Sequence, residues 1–521
     1  MTHVDMALTD RGDRAVALAS RFAPVSILLL LAGWLYRPWV VRPFDYVDFP
    51  ENVLVMLAHD GFVDRFGALL RVYVEHGRWA PVTLASVAAQ WSWFEWWTPG
   101  WQVFRFIVMG ATVVLAVGLA RRLGLTNAGS FASAALLVVS PVAVPAWTRL
   151  STAEPLGMPF LLFASLLALR RRTTLTGVAF AAALLAVMWT KEIMTAAFVF
   201  PALLLCSVRE DGSLGGLRWS RDLARWLLPA ALIFVLGSIP VFWSWMNAPA
   251  GSFASRYGGG SVSAMEVTGA TLAALLPFAP TPGASTLALP VALVAFLILI
   301  LGGWHLALRE EATRKHRRML LALAILVPVL GGLVYAPWPF YLLLYALPFM
   351  LAGSLLLGQG SSSLLGASLQ SRIAGAGSLV LLLTFSLSQA ANEASRTHAL
   401  QQAFAASVPL VAELPRVDTV HVGVALEQFD PRGNFGPRFR RYARMMGLRW
   451  PEVRDLPCNQ LTASRDNVVM LWLNLMCVLP SNRRPSVVVH YTRFSWPDPR
   501  PHRDSVAISV SSPPRGGLRA P

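Results

Sequence analysis

The sequence predicts a mainly α, polytopic transmembrane helical bundle with a small C-terminal α/β or β domain. Three observations carry that reading. Of the 521 residues, 55% are hydrophobic and 14% are charged, whereas a soluble domain has about 45–50% apolar and about 25% charged residues. Apolar runs of spanning length recur along the first three quarters of the chain, each near the roughly 20 residues a membrane helix needs. The last segment changes character: VDTVHVGVAL and PSVVVHYTRF are short β-branched runs bounded by Pro and Gly, the pattern of strands. The mean hydropathy of +0.53 excludes a string of ordinary soluble domains, and high hydrophobicity with low charge excludes disorder.

Candidate spans lie near 24–41, 101–120, 128–146, 153–169, 174–190, 193–208, 226–245, 286–307, 319–336, 340–357 and 374–390, about eleven in all. The first is long for a signal-peptide core and lacks an evident small-residue cleavage site, so it reads as a signal anchor. Between the spans lie a first outer loop over 42–100, rich in acids and tryptophans, and a middle outer loop over 246–285. The tail 391–521 is long enough for a small domain. The division is therefore a membrane domain over 1–390 and an extracytoplasmic domain over 391–521.

Arginines set the orientation. Arg11, Arg14 and Arg21 precede the first span, and alternate connections carry Arg121–Arg122, Arg170–Arg172, the Arg209–Arg225 group, the Arg309–Arg318 group and Arg372. The short opposite loops hold only Arg149, Lys191 and Arg256. Positive residues stay inside, which places the N-terminus in the cytoplasm and the tail outside. The net charge of +16 thus reflects topology and calls for no nucleic acid. Three cysteines exclude a disulfide framework, although Cys458 and Cys477 both fall in the tail. No zinc-type His spacing, phosphate loop or nucleophile elbow is present in the outer segments.

The informative stretch is Arg42-Pro43-Phe44-Asp45-Tyr46-Val47-Asp48-Phe49-Pro50-Glu51-Asn52. It sets carboxylates at the edge of the bilayer, where partial desolvation raises a carboxyl pKa and makes a better base. Asp48, Pro50 and Glu51 also fit a helix start with a capping box. Asp45 has no such local employment. Farther on, Val63–Glu75 places Phe66, Leu69, Leu70 and Val74 near helical spacing, the pattern of a helix lying on the membrane. The tract Trp91-Ser92-Trp93-Phe94-Glu95-Trp96-Trp97 reads as interfacial anchoring. Lys191 and Glu192 sit between apolar runs, as a functional pair or as a pair snorkelling to the interface. Arg149, Lys191 and Arg256 oppose the charge trend and suit an anionic ligand, and Arg78 in GRWAP pairs with an acid or a phosphate.

FDYVDFPEN after the first span, then GRWAP, WQVFRFIVMGATVVLAVGLARRLG, STAEPLGMPFLLFASLLALRRR and MWTKEIMTAAFVFPALLL, resemble the glycosyltransferase C (GT-C) superfamily. The likeness is to bacterial relatives of the dolichyl-phosphate-mannose and aminoarabinose transferases, over roughly residues 25–360. Many members have two adjacent acids in the first loop, whereas Asp45 and Asp48 are separated here by Tyr46 and Val47. The resemblance implies an inverting transfer, at the outer face of a bacterial inner membrane, from a polyprenyl-phosphate sugar to a glycan, lipid or protein acceptor. Asp45 is then the base, with Asp48 second. Arg149, Lys191 and Arg256, and after them Arg78, face the growing charge of the phosphate leaving group. No metal or other cofactor is expected, because the rest of the outer loops are poor in acids. The arginines Arg438, Arg440, Arg441 and Arg444 in the tail suit an anionic acceptor or a solvated face. A lipid-linked glycan flippase and a noncatalytic envelope scaffold are the rival readings. A transporter favours internal repeats and broken mid-membrane helices; this sequence shows no such repeat, and its acids cluster at an outer loop and not at mid-span.

Overall fold

The computed structural model describes residues 22–40, 49–150, 153–170, 173–207, 221–247, 288–309, 326, 329, 347–412, 419–424, 435–448, 452–457, 468–473, 485–495 and 498–511. The first helical segment, α1, is Phe22–Trp39. Three helices follow it, the first two where the sequence indicates a helix start and a helix: α2 (Phe49–Leu57), α3 (Gly61–Glu75) and α4 (Pro81–Phe94). Next come α5 (Thr98–Arg122), α6 (Asn127–Val139), the short α7 (Val144–Thr148), α8 (Glu154–Ala168) and α9 (Thr174–Thr190). A 3-10 stretch, Glu192–Phe198, leads into α10 (Val199–Ser207), and α11 is Arg221–Met246. Helices α12 (Ala288–Leu297) and α13 (Gly303–Arg309) flank a π turn, Ile298–Gly302. The last two long helices are α14 (Leu347–Gly366) and α15 (Leu369–Ala412).

Local chemistry explains several boundaries. Thr126 caps α6 by accepting a hydrogen bond from the Gly129 N–H at 3.2 Å, which satisfies one of the first-turn donors. Thr173 and Thr176 form a reciprocal capping box at the start of α9. Helix α5 has Pro99 in its first turn and Arg121 and Arg122 in its last; Gly124 just beyond adopts φ +79° and turns the chain. Four segments among the described residues are long and apolar enough to cross a membrane: Phe22–Trp39, Thr98–Arg122, Pro290–Arg309 and Leu369–Ala412.

Shorter apolar helical stretches are Asn127–Val139, Glu154–Ala168, Thr174–Thr190 and Ala230–Ser244. The run expected to span over 128–146 breaks after Val139: Ser140 is extended, residues 141–143 turn, and α7 follows. Pro141 and Pro145 bracket that break, and each removes a backbone donor. The helix expected over 374–390 continues without interruption to Ala412. Span 319–336, apart from residues 326 and 329, and the middle loop from residue 248 on lie outside the described residues.

Helices α6 and α14 meet backbone to backbone. A Cβ on Gly358 would overlap Ser133 Oγ and the Gly129 carbonyl, and one on Gly303 would overlap the Gly360 backbone. Small residues at such crossings let helices pack closely in lipid, where there is no hydrophobic drive to associate. The Tyr36 hydroxyl adds a buried bond from α1 to the Val138 carbonyl at 2.8 Å.

After α15 the chain forms a five-stranded mixed sheet of order β2-β1-β3-β5-β4. Its strands are β1 (Thr419–Val424), β2 (Glu452–Pro457), β3 (Val468–Leu473), β4 (Val487–Ser495) and β5 (Asp498–Ser511). Strand β1 pairs in parallel with both β2 and β3, while β5 pairs antiparallel with β3 and β4. Parallel neighbours need a crossover, and helix α16 (Phe435–Met445) supplies it between β1 and β2. Both β-branched runs singled out in the sequence are strands, β1 and β4.

Two main apolar cores result. One lies within the bundle. The other joins segments far apart in sequence: Val53 and Met56 of α2, Leu69 of α3, Leu84 and Trp91 of α4, Phe404 and Val408 of α15, Tyr442 and Met445 of α16, and Val506 and Ile508 of β5. The first loop and the tail thus form one cap on the bundle. The apolar face of α3, expected on the membrane, is turned into this core: Leu69 is fully buried, and Phe66, Leu70 and Tyr73 pack against it.

Candidate site at the cap end of the bundle

Asp45, Asp48 and Arg256 lie outside the described residues, as do Gly258–Gly260, Cys458, Cys477 and the side chains of Glu192 and Arg438. Glu51, Arg78, Arg149 and Lys191 are described. Glu51 is exposed on the first turn of α2 and forms an ion pair with Arg441 of α16.

Lys191 is buried, and its ammonium lies 2.5 Å from Oε1 of Glu154, which is completely buried. Lys191 thus pairs with a residue 37 positions away. The pairing follows from the fold. Helices α8 and α9 pack side by side and are joined by a short turn, so the start of α8 meets the end of α9. Glu154 opens α8, where the helix dipole favours a carboxylate, and Lys191 follows α9, where it favours a cation. The second carboxylate oxygen, Oε2, is buried with no hydrogen-bond partner among the described residues.

Around this pair the chain is tied down from both sides. Thr83 of α4 donates to the Thr190 carbonyl at 2.7 Å. Gly157 faces the Met194 side chain so closely that a Cβ would overlap its sulfur. Arg149, half-buried, ends α7 and opens the turn that leads to Glu154. Arg105, buried on α5, donates from Nη2 to the carbonyl of Leu150 in that same turn. Sequence reasoning missed Arg105; its signal was a charge inside the apolar stretch WQVFRFIVMG, which is costly in a membrane and so informative. Arg78 is half-buried, with its guanidinium 5.3 Å from the Tyr73 ring centroid. Its neighbour Trp79 packs on Leu185, Met188 and Val241. The GRWAP segment therefore lies over the end of α9, close in the fold to Lys191. The structure gathers Arg105, Arg149, Lys191 and Glu154 about one turn beneath the cap, with the Arg78 segment beside them.

No protein-family model matches the chain, and no curated protein is similar to it by sequence. Among solved structures it is similar to ArnT from Cupriavidus metallidurans bound to undecaprenyl phosphate, with a TM-score of 0.47 and 13% identity over 95% of this chain and 99% of that one. The apo state of the same protein aligns with a TM-score of 0.46 and 11% identity over 96% and 100% of the two chains. Arabinofuranosyltransferase AftD from Mycobacteria aligns at 0.44 and 16% identity over 78% of this chain and 29% of that one.

Two further features bear on chemistry. Between α12 and α15 runs an apolar cleft of about 260 Å³, lined by Pro290, Val294, Ile298, Ser378 and Leu381 among others. On the β4–β5 hairpin, Tyr491 donates to Asp504 at 3.1 Å; burial and that neighbouring carboxylate push its phenol up to about 12, so it serves as a donor and not as a nucleophile. Among the described residues no three His, Cys, Asp or Glu side chains come together.

Proposed function

We propose that this chain is an integral-membrane glycosyltransferase that moves a sugar from a polyprenyl-phosphate donor to a cell-envelope acceptor at the outer face, with inversion. The observation that carries the reading is the gathering of buried cations, Arg105 and Lys191 with Arg149, around one turn at the cap end of a bundle of apolar helices. Basic groups held out of water at the end of a hydrocarbon-facing bundle suit a ligand with an anionic head and an apolar tail. The apolar cleft between α12 and α15 is a second support, since a prenyl chain fits such a surface.

In this reading the acceptor hydroxyl attacks the anomeric carbon from the side opposite the phosphate. A C–O bond forms to the acceptor as the C–O bond to phosphate breaks, and the configuration inverts. The hydroxyl proton passes to a carboxylate, Asp45 first and Asp48 second. The polyprenyl phosphate leaves with the extra negative charge. Arg149 and Arg256, with Arg78 at the edge, stabilise that charge in the transition state. Lys191 contributes to the same field. Its bond to Glu154 fixes its position and offsets part of its charge, so the guanidinium groups carry most of the stabilisation. Glycan, lipid and protein all remain within the acceptor class. The outer loops over 42–100 and 246–285 and the tail over 391–521 lie outside the cell, and the N-terminus lies inside.

The test is sugar transfer in reconstituted membranes supplied with a panel of polyprenyl-phosphate sugars. Asp45→Asn is expected to lower kcat by at least about 100-fold, the usual scale for a positioned base, while donor binding persists. A wild-type protein that transports lipid-linked glycan without transferring sugar would move the assignment to a flippase. Transfer that survives Asp45→Asn and Asp48→Asn would remove both from the role of base.

A further inference from the structure

The exposed apolar side chains of the cap are concentrated where three helix ends meet. Leu57 closes α2, Phe62 and Val63 open α3, and Trp93, Trp96 and Trp97 lie at the end of α4 and in the turn beyond it. Their exposures run from 43% at Phe62 to 74% at Val63. Arg65 bolts the three ends together: its Nε donates to the carbonyls of Met56 at 3.3 Å and His59 at 3.0 Å, and its Nη1 reaches Ser92 Oγ at 3.4 Å. Stacking of Phe62 on Phe66, with ring centroids 6.2 Å apart, stiffens the start of α3. A rigid aromatic tip of this size on a soluble surface would be an aggregation liability.

Its position names its occupant. Trp97 immediately precedes α5, a 25-residue apolar helix. At 1.5 Å per residue such a helix is about 37 Å long, and the hydrocarbon core is about 30 Å thick, so the first residues of α5 and the tryptophans before them fall in the headgroup zone. The exposed side of α5, with Val103, Ile107 and Val114, carries the same apolar surface onward along the span.

We propose that this three-helix tip is a membrane-docking surface, inserted into the headgroup region of the leaflet at the cap end. Its partner is the lipid bilayer itself. Trp and Phe suit that zone because their rings are apolar while the indole N–H still reaches water and headgroups. The docking keeps the interfacial anchoring expected of the tryptophan tract and replaces the one expected of α3: the tip touches lipid, while the apolar side of α3 belongs to the cap core. Arg440 and Arg444, exposed on α16, are left to water.

The experiment uses the full chain with Cys206, Cys458 and Cys477 replaced by Ser, and single cysteines introduced as Val63→Cys, Trp93→Cys and Arg444→Cys. Each carries a nitroxide label, and the protein sits in nanodiscs of phosphatidylethanolamine and phosphatidylglycerol. Collisional relaxation is then read with dissolved oxygen and with a neutral nickel complex. Labels at 63 and 93 are expected to be open to oxygen and shielded from nickel, and the label at 444 to show the reverse. Nickel access at 63 and 93 equal to that at 444 would overturn the proposal. So would labels at 63 and 93 shielded from both reagents, which would mean that a second copy of the chain covers the tip. Two labelled positions guard against one variant failing to fold.

Discussion

Glu154 and Lys191 sit at opposed ends of two neighbouring helices, and each helix end favours the charge it carries. Removing one member leaves the other charged and buried without this partner, which costs about 3–5 kcal/mol, whereas replacing both by apolar groups of similar volume is often neutral. Lys191→Met and Glu154→Leu alone are therefore expected to lower the thermal unfolding midpoint in detergent sharply, and the double variant to recover most of the loss. Additive losses in the double variant would show that the two side chains act separately. Both residues were visible in the sequence as charges beside apolar runs. Their pairing was not, because local pattern couples Lys191 to its neighbour Glu192, and only the antiparallel packing of α8 and α9 brings Glu154 to it. Arg105 was hidden for a related reason. Inside a span its charge is a signal, but the partner that explains it is the carbonyl of Leu150 in another element.

At the scale of elements, hydropathy located most of the helices and failed at their ends. It read 128–146 through a break because Pro141 and Pro145 lie in an otherwise apolar run, where composition alone does not register the lost backbone donors. It ended the last span at 390 because the sequence turns polar there, yet no breaker follows until Pro409 near the end of α15, and the buried side of α15 simply changes from the bundle core to the cap core. Glycines test this packing in both directions. Gly358→Ala is expected to destabilise by about 1–3 kcal/mol, the cost of overpacking, because the added methyl meets Ser133 and the Gly129 backbone. Gly67→Ala, on an exposed face of α3 with nothing within 4 Å, is expected to stabilise by about 0.5–1 kcal/mol through helix propensity. Thermal unfolding of the two variants checks the pair. Equal and small shifts would mean that α6 and α14 are free to move apart.

At the scale of the molecule, the cap is the feature that local reading could not supply, since its core joins residues of the first loop to residues more than 300 positions later. The tail is thus not an appendage. Helix α2 packs on α16, whose Tyr442 and Met445 share its core, and is tied to it by the Glu51–Arg441 pair. Tyr442 itself meets Phe404 edge to face, with ring centroids 5.4 Å apart. The chain on the far side of the acid-bearing segment is held as well, because Trp39 at the end of α1 lies 5.6 Å, centroid to centroid, from the His398 ring of α15. An exposed ion pair contributes only about 0.2–1 kcal/mol, so the core provides the hold and the pair selects its register. Arg441→Glu and Glu51→Arg singly are expected to speed hydrogen exchange across α2, because each sets like charges side by side. The double reversal is expected to restore it. Tyr442→Ala, which strips the core contact, is expected to expose α2 far more, by about 3–5 kcal/mol on the scale of large aromatic truncations. If exchange in α2 ignored all three changes, the cap would hold α2 by contacts other than α16. If only the charge variants were silent, the core alone would set the position of α2, and the pair would be an incidental surface contact.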